Sequence, residues 1–278
     1  MKPEQITGPD AHHGEGPVWD ARRGQLLWVD LLRGDVLTMS RSGSVERRHV
    51  GEVAACLAPR HAGGYVVATA RGFALVDADG TITGLPDVWD DPSVRMNDGA
   101  CDSLGRFFCG SMAYSAAEGL GALFRLDPDL TVHRVHDTVT ISNGIGWAPD
   151  GSVAYHIDTP TQRIDTYSPD LTEKRGTLAT VPPQAGAPDG LTVDAEGAVW
   201  VALWGGSAVH RYTPDGRLDE VIEMPVRQPS SCTFGGDELD TLFITTSAQD
   251  LSDPEPAAGA VFAVRPGVAG TPAMEFAA

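Results

Sequence analysis

Short apolar runs alternate with polar turns along the whole chain, and the alternation recurs as a unit. Each unit has an apolar strand, a turn rich in Asp, Gly or Pro, and a second strand of aliphatic, aromatic and β-branched residues. The six units cover residues 15–30, 55–70, 97–112, 143–158, 189–204 and 231–246. Each unit therefore predicts a β-hairpin.

The spacing of the units indicates how they are arranged. Successive units begin 40, 42, 46, 46 and 42 residues apart, and most are followed by a third alternating segment such as GALFRLD or SAVHRYT. A repeat of this length, built from short strands, is typical of a propeller blade. The sequence predicts an all-β chain that forms a single six-bladed β-propeller with four-stranded antiparallel blades over residues 1–278.

Two other architectures use short strands and frequent turns, namely a pair of β-sandwiches and an open solenoid. A closed ring is favoured because an open array would need polar caps, and the sequence has no sign of them. Closure predicts that the segment before Glu15 pairs with the last blade.

Polar residues stand at the first position of most units. The first strand of a propeller blade borders the central channel, so these positions surround the axis. They are Glu15, Ala55, Asn97, Asn143, Asp189 and Ser231. Four of the six carry a carboxylate or carboxamide oxygen at the start of an otherwise apolar strand.

Carboxylates on such an axis need a counter-charge. A buried carboxylate is costly unless it is paired or binds a metal ion, and no Lys or Arg occupies an equivalent position beside Glu15 or Asp189. The pattern predicts one divalent metal ion. Oxygen donors favour Ca²⁺, Mg²⁺ or Mn²⁺, with Zn²⁺ and Fe²⁺ left open. The alternative is a set of turn-capping side chains with no common centre.

The overall charge narrows the class of partner. The chain has 20 basic and 38 acidic residues, a net charge of −18. This charge opposes binding to nucleic acid and to anionic membranes, and it favours a neutral small molecule together with a cation. No targeting segment and no apolar run of membrane-spanning length is present, so we expect a soluble cytoplasmic protein.

The cysteines and histidines add little chemistry. Four cysteines lack the spacing of a zinc site or a disulfide framework, and we expect buried free thiols. Eight histidines lack metal-ligand spacing and are expected to be solvated or packed. His156 is the histidine nearest to a channel-facing strand end.

Several motifs, in order and at the spacing of the repeat, resemble one family. They are GEGPVWD (14–20), VRMNDGACDSLGRFFCGSM (94–112), ISNGIGWAPDG (141–151), PDGLTVDAEGAVWVA (188–202) and SSCTFGG (230–236). The chain is similar to the gluconolactonase, regucalcin and luciferin-regenerating enzyme family, the sugar lactone lactonases. The resemblance implies a metal-dependent hydrolase that opens a small lactone ring, with an aldonolactone expected.

The resemblance also implies roles for individual residues. Glu15, Asn143 and Asp189 would be the metal ligands, and Asp189 would also be the catalytic general base that accepts a proton from water. Asn97 would lie beside the metal. Arg95 and Asn97 would bind the substrate hydroxyls.

One departure from the family concerns the substrate pocket. Where animal regucalcins have a sugar-binding glutamate, an ungapped count reaches Ser115, which follows Tyr114, and Glu118 could replace it only if the loop shifts. We therefore expect a different pocket wall. Trp204 and Met112, at the last position of their units, could form either this wall or the core.

Two other functions stay open. One is a metal-dependent phosphotriesterase or arylesterase on the same fold, and the other is a non-enzymatic calcium-binding regulatory protein, because a fold does not set a function. Turnover of lactones against phosphotriesters separates the first. Metal binding without any turnover would identify the second.

Overall fold

Six antiparallel sheets of four strands each form the molecule. The computed structural model describes residues 1–278 and has 24 strands with three 3₁₀ turns. Within blades 1 to 5 the four strands follow chain order from the axis outwards. The predicted six-bladed β-propeller with four-stranded blades is confirmed.

The strands of the first three blades have the following bounds. Blade 1 contains β2 (Gly14–Asp20), β3 (Gln25–Asp30), β4 (Asp35–Met39) and β5 (Val45–His49). Blade 2 contains β6 (Leu57–Pro59), β7 (Tyr65–Ala68), β8 (Phe73–Val76) and β9 (Ile82–Gly84). Blade 3 contains β10 (Val94–Cys101), β11 (Phe107–Ala113), β12 (Gly121–Leu126) and β13 (Val132–Val139).

The remaining strands form three further blades. Blade 4 contains β14 (Ser142–Trp147), β15 (Ala154–Asp158), β16 (Arg163–Tyr167) and β17 (Lys174–Thr180). Blade 5 contains β18 (Ala187–Val193), β19 (Val199–Trp204), β20 (Ala208–Tyr212) and β21 (Leu218–Glu223). Blade 6 contains β22 (Pro229–Gly235), β23 (Thr241–Thr246), β24 (Phe262–Val264) and β1 (Glu4–Gln5). The 3₁₀ turns span Leu31–Arg33, Thr159–Thr161 and Pro183–Ala185.

The ring is closed by the N-terminal strand. β1 forms the outer strand of blade 6, where Glu4 pairs with Ala263 and Gln5 pairs with Phe262. The first and last segments of the chain therefore share one sheet, which removes the free ends of an open array. The predicted pairing of the N-terminal segment with the last blade is confirmed.

The core lies between neighbouring blades. Alternate residues of the middle strands point to either face of each sheet, so aromatic and aliphatic side chains fill both inter-blade layers. Trp28 and Trp200 are fully buried, and one continuous apolar cluster of 26 residues joins the first three blades. All four cysteines are buried free thiols, as predicted.

The last fourteen residues do not continue the repeat. After β24, the segment 265–278, here called the C-terminal tail, crosses the end of the ring where the hairpins of β2–β3 and its equivalents turn. Backbone hydrogen bonds tie Phe276 to Pro59 and His61, and Ala277 to Gly105. The Phe276 ring is fully buried in the core of blades 1 to 3. No helix in the structure combines the length and the apolar character of a bilayer span.

Candidate active site

Four of the six equivalent first positions meet at one end of the channel. There they line a cavity of about 330 Å³, here called the upper pocket. Its wall is formed by His13, Glu15, Leu32, Arg95, Asn97, Met112, Tyr114, Ala116, Ile141, Asn143, Thr159, Ala187, Asp189, Trp204, Gln249 and Asp250. Every residue to which the sequence assigned a metal, catalytic or substrate role is in this set.

A local backbone irregularity displays these side chains. In five of the six blades the pairing of the innermost strand with the next shifts register at the first position of the unit, for example between Glu15 and Val18 and between Asn143 and Ile145. Such a β-bulge bends the strand and re-aims a side chain. Gly16 has a φ of +49° within its bulge, which a glycine adopts without strain.

Glu15 and Asp189 are buried carboxylates without a cationic partner. Each side chain is only 5% exposed, and neither forms an ion pair. Burial raises the pKa of Glu15 well above its usual range, and the neighbouring charges of Asp189 and Asp98 raise it further. Burial, followed by the charge of Asp98, also raises the pKa of Asp189. Two unpaired carboxylates in one cavity call for a cation.

The donor set fits a divalent ion. The site does not bring together three side chains of the His, Cys, Asp and Glu types, and its third oxygen would come from an amide. The Asn143 amide is fixed at both ends, because its Nδ2 donates to Thr159 Oγ1 at 2.9 Å, Thr159 Oγ1 donates to the Pro188 carbonyl at 2.9 Å, and its Oδ1 accepts from Asn97 Nδ2 at 3.2 Å. Two carboxylates and an amide oxygen would neutralise a divalent ion and suit a hard cation.

Asn97 and Arg95 extend this network across the pocket. Asn97 Nδ2 donates to the Ser142 carbonyl at 2.9 Å and to Asn143 Oδ1 at 3.2 Å. Its Oδ1 accepts from Arg95 Nη1 at 2.7 Å, which uses one of the two lone pairs of that oxygen. Asn97 therefore orients Asn143 and Arg95, in keeping with the predicted place beside the metal.

Arg95 has donors to spare. Its guanidinium lies over the Tyr114 ring at 5.7 Å, and its Nε is buried with no hydrogen-bond partner. Burial lowers the pKa of Arg95, while the nearby Tyr114, Glu15 and Asp189 oppose that shift. A ligand with oxygen atoms would satisfy the unused N–H groups.

His13 forms another part of the wall of the upper pocket. Its Nδ1 is 2.9 Å from Ser247 Oγ, and its ring meets the edge of Trp204 with centroids 5.4 Å apart. Burial, followed by the charge of Arg95, lowers the pKa of His13 to about 3, so the imidazole is neutral at physiological pH. His13 is packed, one of the two environments that the sequence predicted for the histidines, and it also lines the pocket.

Asp98 belongs to a different cavity. The six inner strands continue into a second space of about 190 Å³, here called the lower cavity, which Thr271, Pro272, Ala273 and Met274 of the tail close from below. Asp98 is the one charged residue in its lining, and burial raises its pKa to about 6. Its Oδ1 accepts from the Gly99 N–H at 2.8 Å.

The structure shows which of the residues considered for the pocket wall line the upper pocket. Trp204 and Met112 both line the upper pocket, so they are wall residues. Ser115 and Glu118 are exposed and lie outside the pocket lining, and the ring of Tyr114 occupies the wall instead. His156 is buried, with its Nε2 2.8 Å from Ser142 Oγ, and does not reach the pocket.

Four residues of the site were assigned no role from the sequence, namely His13, Thr159, Ser247 and Gln249. Thr159 and Ser247 both stand directly after a sixteen-residue unit, 143–158 and 231–246, so the repeat could have aligned them, whereas Gln249 lies further along the loop after β23. A histidine two residues before a proposed ligand was the one available signal for His13, because side chains two apart on a strand share a face.

The fold and this pocket define a class, a six-bladed propeller whose axial oxygens fit a divalent cation. A family model described as "SMP-30/Gluconolactonase/LRE-like region" matches residues 13–248. The chain belongs to this family, as the motifs predicted.

Curated relatives match over nearly the whole chain. Regucalcin of Danio rerio is 34% identical and covers 99% of this chain and 98% of its own. A 6-deoxy-6-sulfogluconolactonase of Pseudomonas putida is 35% identical and covers 95% of this chain and 94% of its own.

Solved structures show the same ring. A luciferin-regenerating enzyme superposes with a TM-score of 0.90 at 28% identity, covering 99% of this chain and 100% of its own. A calcium-binding protein, regucalcin, from Agrobacterium tumefaciens also reaches 0.90, at 26% identity, with 100% and 98% covered.

Proposed function

We propose that the chain is a lactonase that hydrolyses a small neutral sugar-type lactone with the help of one divalent metal ion. Family membership supports the enzyme class, since relatives are named as gluconolactonases and sugar lactone lactonases. The observation that carries the proposal for this chain is the pair of buried, unpaired carboxylates, Glu15 and Asp189, in a pocket that also has a free guanidinium edge.

Glu15, Asp189 and the Asn143 oxygen would hold the ion. When bound there, a divalent cation supplies a Lewis acid that polarises the lactone carbonyl and stabilises negative charge on its oxygen. Ca²⁺, Mg²⁺ and Mn²⁺ suit the all-oxygen donors, and Zn²⁺ and Fe²⁺ are the other candidates.

The chain's own residues handle the proton and the substrate. Asp189 accepts the proton of the attacking water through a carboxylate oxygen and returns it when the ring oxygen leaves. Arg95 Nη2, which has no protein partner, donates to ring hydroxyls, and the Tyr114 face holds the guanidinium in place. The rigid Asn97 and Asn143 amides need no reorganisation during the reaction.

The charge of the whole chain favours a neutral substrate. In the pocket, Arg95 and a bound divalent ion would together balance the carboxylates of Glu15, Asp189 and Asp250. An anionic lactone would still meet the field of the chain, whose net charge is −18. We accordingly propose a neutral hydroxylated lactone, and a cytoplasmic location stays a prediction.

The test is hydrolysis by chelated protein with metals added back singly. A pH indicator reports the acid released from aldonolactones, and aryl esters and phosphotriesters are run in parallel. We expect little turnover without metal and restored lactone turnover with one or more divalent ions. Faster phosphotriester or aryl ester turnover would replace the substrate assignment. Metal binding without turnover of any substrate would favour a calcium-binding regulatory protein.

A further inference from the structure

We propose that His13 is a substrate-binding residue, oriented by Ser247, and that its Nε2 forms a hydrogen bond with a lactone hydroxyl at a point of the pocket wall two blades away from Arg95. This inference rests on the proposed function and deepens it. It defines the substrate class as lactones that are hydroxylated on the edge facing blades 6 and 1.

His13 lies at the junction of the first and last blades. His13 precedes β2 and forms an isolated bridge with Ser247, which follows β23, so it sits where the first and last blades meet. Arg95 lies on β10 of blade 3, two blades further round the ring. A ring-shaped ligand on the axis would therefore meet the two side chains at separate points of its edge.

The His13 imidazole is oriented by its contact with Ser247. Ser247 Oγ accepts from the Gln249 N–H at 3.0 Å and lies 3.4 Å from the His12 carbonyl but 2.9 Å from His13 Nδ1. Whichever of the two atoms carries the proton, this contact uses Nδ1 and leaves Nε2 as the ring nitrogen that can bind a ligand. His13 Nε2 has no protein partner, although it is not sealed by protein, and the residue lines the pocket.

The His13 ring is held rigidly by two neighbours. Trp204 packs against the imidazole at an interplanar angle of 84°, while Ser247 fixes the ring's rotation. A side chain held on two sides loses little conformational entropy when it binds a ligand.

The experiment compares hydroxylated and bare ligands in metal-loaded protein. His13→Phe keeps a flat ring against Trp204 and removes the Nε2 atom that would bind the hydroxyl. We expect the ratio of kcat/KM for δ-gluconolactone to that for δ-valerolactone to fall about tenfold, the usual effect of losing one hydrogen bond to a ligand. The dissociation constant of δ-gluconolactam, measured by calorimetry, should rise by a similar factor.

Three further variants separate binding from folding. His13→Gln returns an N–H near the position of Nε2 and should recover part of both effects. Ser247→Ala removes the positioning hydroxyl and should lower the same ratio by a smaller factor. His210→Phe is the matched control, because this buried histidine contacts Tyr212 in blade 5 and not the pocket, so it should leave the ratio unchanged.

The role of His13 and the proposed function can fail separately in these experiments. An unchanged ratio and an unchanged lactam affinity in His13→Phe would overturn the inference, as would wild-type protein that does not bind the lactam. If wild-type protein bound the lactam but turned over neither lactone, the proposed function would fail while the change in lactam affinity still decided the role of His13.

Discussion

The two ends of the central channel are built from the same six inner strands but have different linings. The upper pocket has a volume of about 330 Å³ and displays Glu15, Asn143 and Asp189. The lower cavity has a volume of about 190 Å³, its one charged residue is Asp98, and the C-terminal tail closes it. The upper end thus carries the oxygens of the proposed metal site, and the lower end has a single charged side chain.

The difference arises from adjacent positions on each strand. The residue after each first position is Gly16, Cys56, Asp98, Gly144, Gly190 or Cys232. At Gly144 a Cβ would lie 2.7 Å from the Asp189 carbonyl oxygen, closer than real Cβ atoms approach, so a larger residue has no space. The strands thus place oxygens in one layer and close packing in the next, which should make activity and stability separable by mutation.

The largest expected effect is on activity at the upper end. Asp189→Asn removes both a proposed ligand charge and the proposed base, so kcat/KM for an aldonolactone should fall by about 10³-fold or more. The free energy of unfolding in the absence of metal should be unchanged or higher, because one of two unpaired buried carboxylates is lost. Indicator assays and urea unfolding measure the two quantities.

Asp127→Asn is the matched control, since Asp127 pairs with Arg125 on the outer part of blade 3. It should leave kcat/KM within twofold of wild type. Turnover of Asp189→Asn within tenfold of wild type would remove Asp189 from both proposed roles.

The next effect is on stability at the lower end. Phe276→Ala empties a fully buried ring site between blades and should lower the free energy of unfolding by about 3–4 kcal/mol. The activity per folded molecule should stay unchanged, because Phe276 lies outside the upper pocket. Met274→Ala, at a side chain that is 45% exposed, is the control and should change stability by about 0.5 kcal/mol or less. Equal losses in both variants would show that the tail contributes through its backbone alone.

The ring was predictable because its information is repeated. Each hairpin is specified within sixteen residues by alternation and turn glycines, and six copies reinforce one another. The oxygens at Glu15, Asn97, Asn143 and Asp189 could be aligned for the same reason. Convergence of these side chains in one pocket follows from blade geometry, while their roles as ligands, base and substrate contacts stay predictions.

The contacts of the C-terminal tail and those formed on ring closure could not be predicted from the repeat. The tail has no alternating pattern. Its backbone partners lie more than 150 residues away, because Phe276 bonds to Pro59 and Ala277 bonds to Gly105. The contact between His13 and Ser247 joins residues 234 positions apart. Such contacts depend on ring closure, so a single sequence specifies them only after the fold is known.

Metal and pH should act together on the upper end. Without metal, the raised pKa of Glu15 and Asp189 means that the folded protein binds protons more tightly than the unfolded chain. Their contribution to stability is therefore present below the unfolded values of 4.5 and 3.8, and is lost as pH rises through the folded values. A cation binds the deprotonated forms, so stabilisation by metal should grow with pH.

Thermal unfolding at pH 5 and pH 8, with and without a divalent ion, measures this coupling. At an ion concentration about 100 times its dissociation constant, stabilisation at pH 8 should be about 2.7 kcal/mol. At pH 5 the same concentration should stabilise less. The double variant Glu15→Gln with Asp189→Asn should lose the metal effect at both pH values. An equal metal effect at pH 5 and 8 in wild type would contradict binding by these carboxylates.

The smallest expected effect tests whether the two ends are electrically independent. Asp98 lies in the lower layer, yet after burial its charge is the main cause that raises the pKa of Asp189. Asp98→Asn should therefore weaken divalent-ion binding about fivefold, an effect of about 1 kcal/mol that suits one charge acting across a short buried distance. Calorimetry with Ca²⁺ or Mn²⁺ measures it, with Asp194→Asn as a buried carboxylate control in blade 5. An unchanged dissociation constant would mean that the upper pocket is insulated from the lower cavity, whereas a loss above a hundredfold would make Asp98 a ligand in its own right.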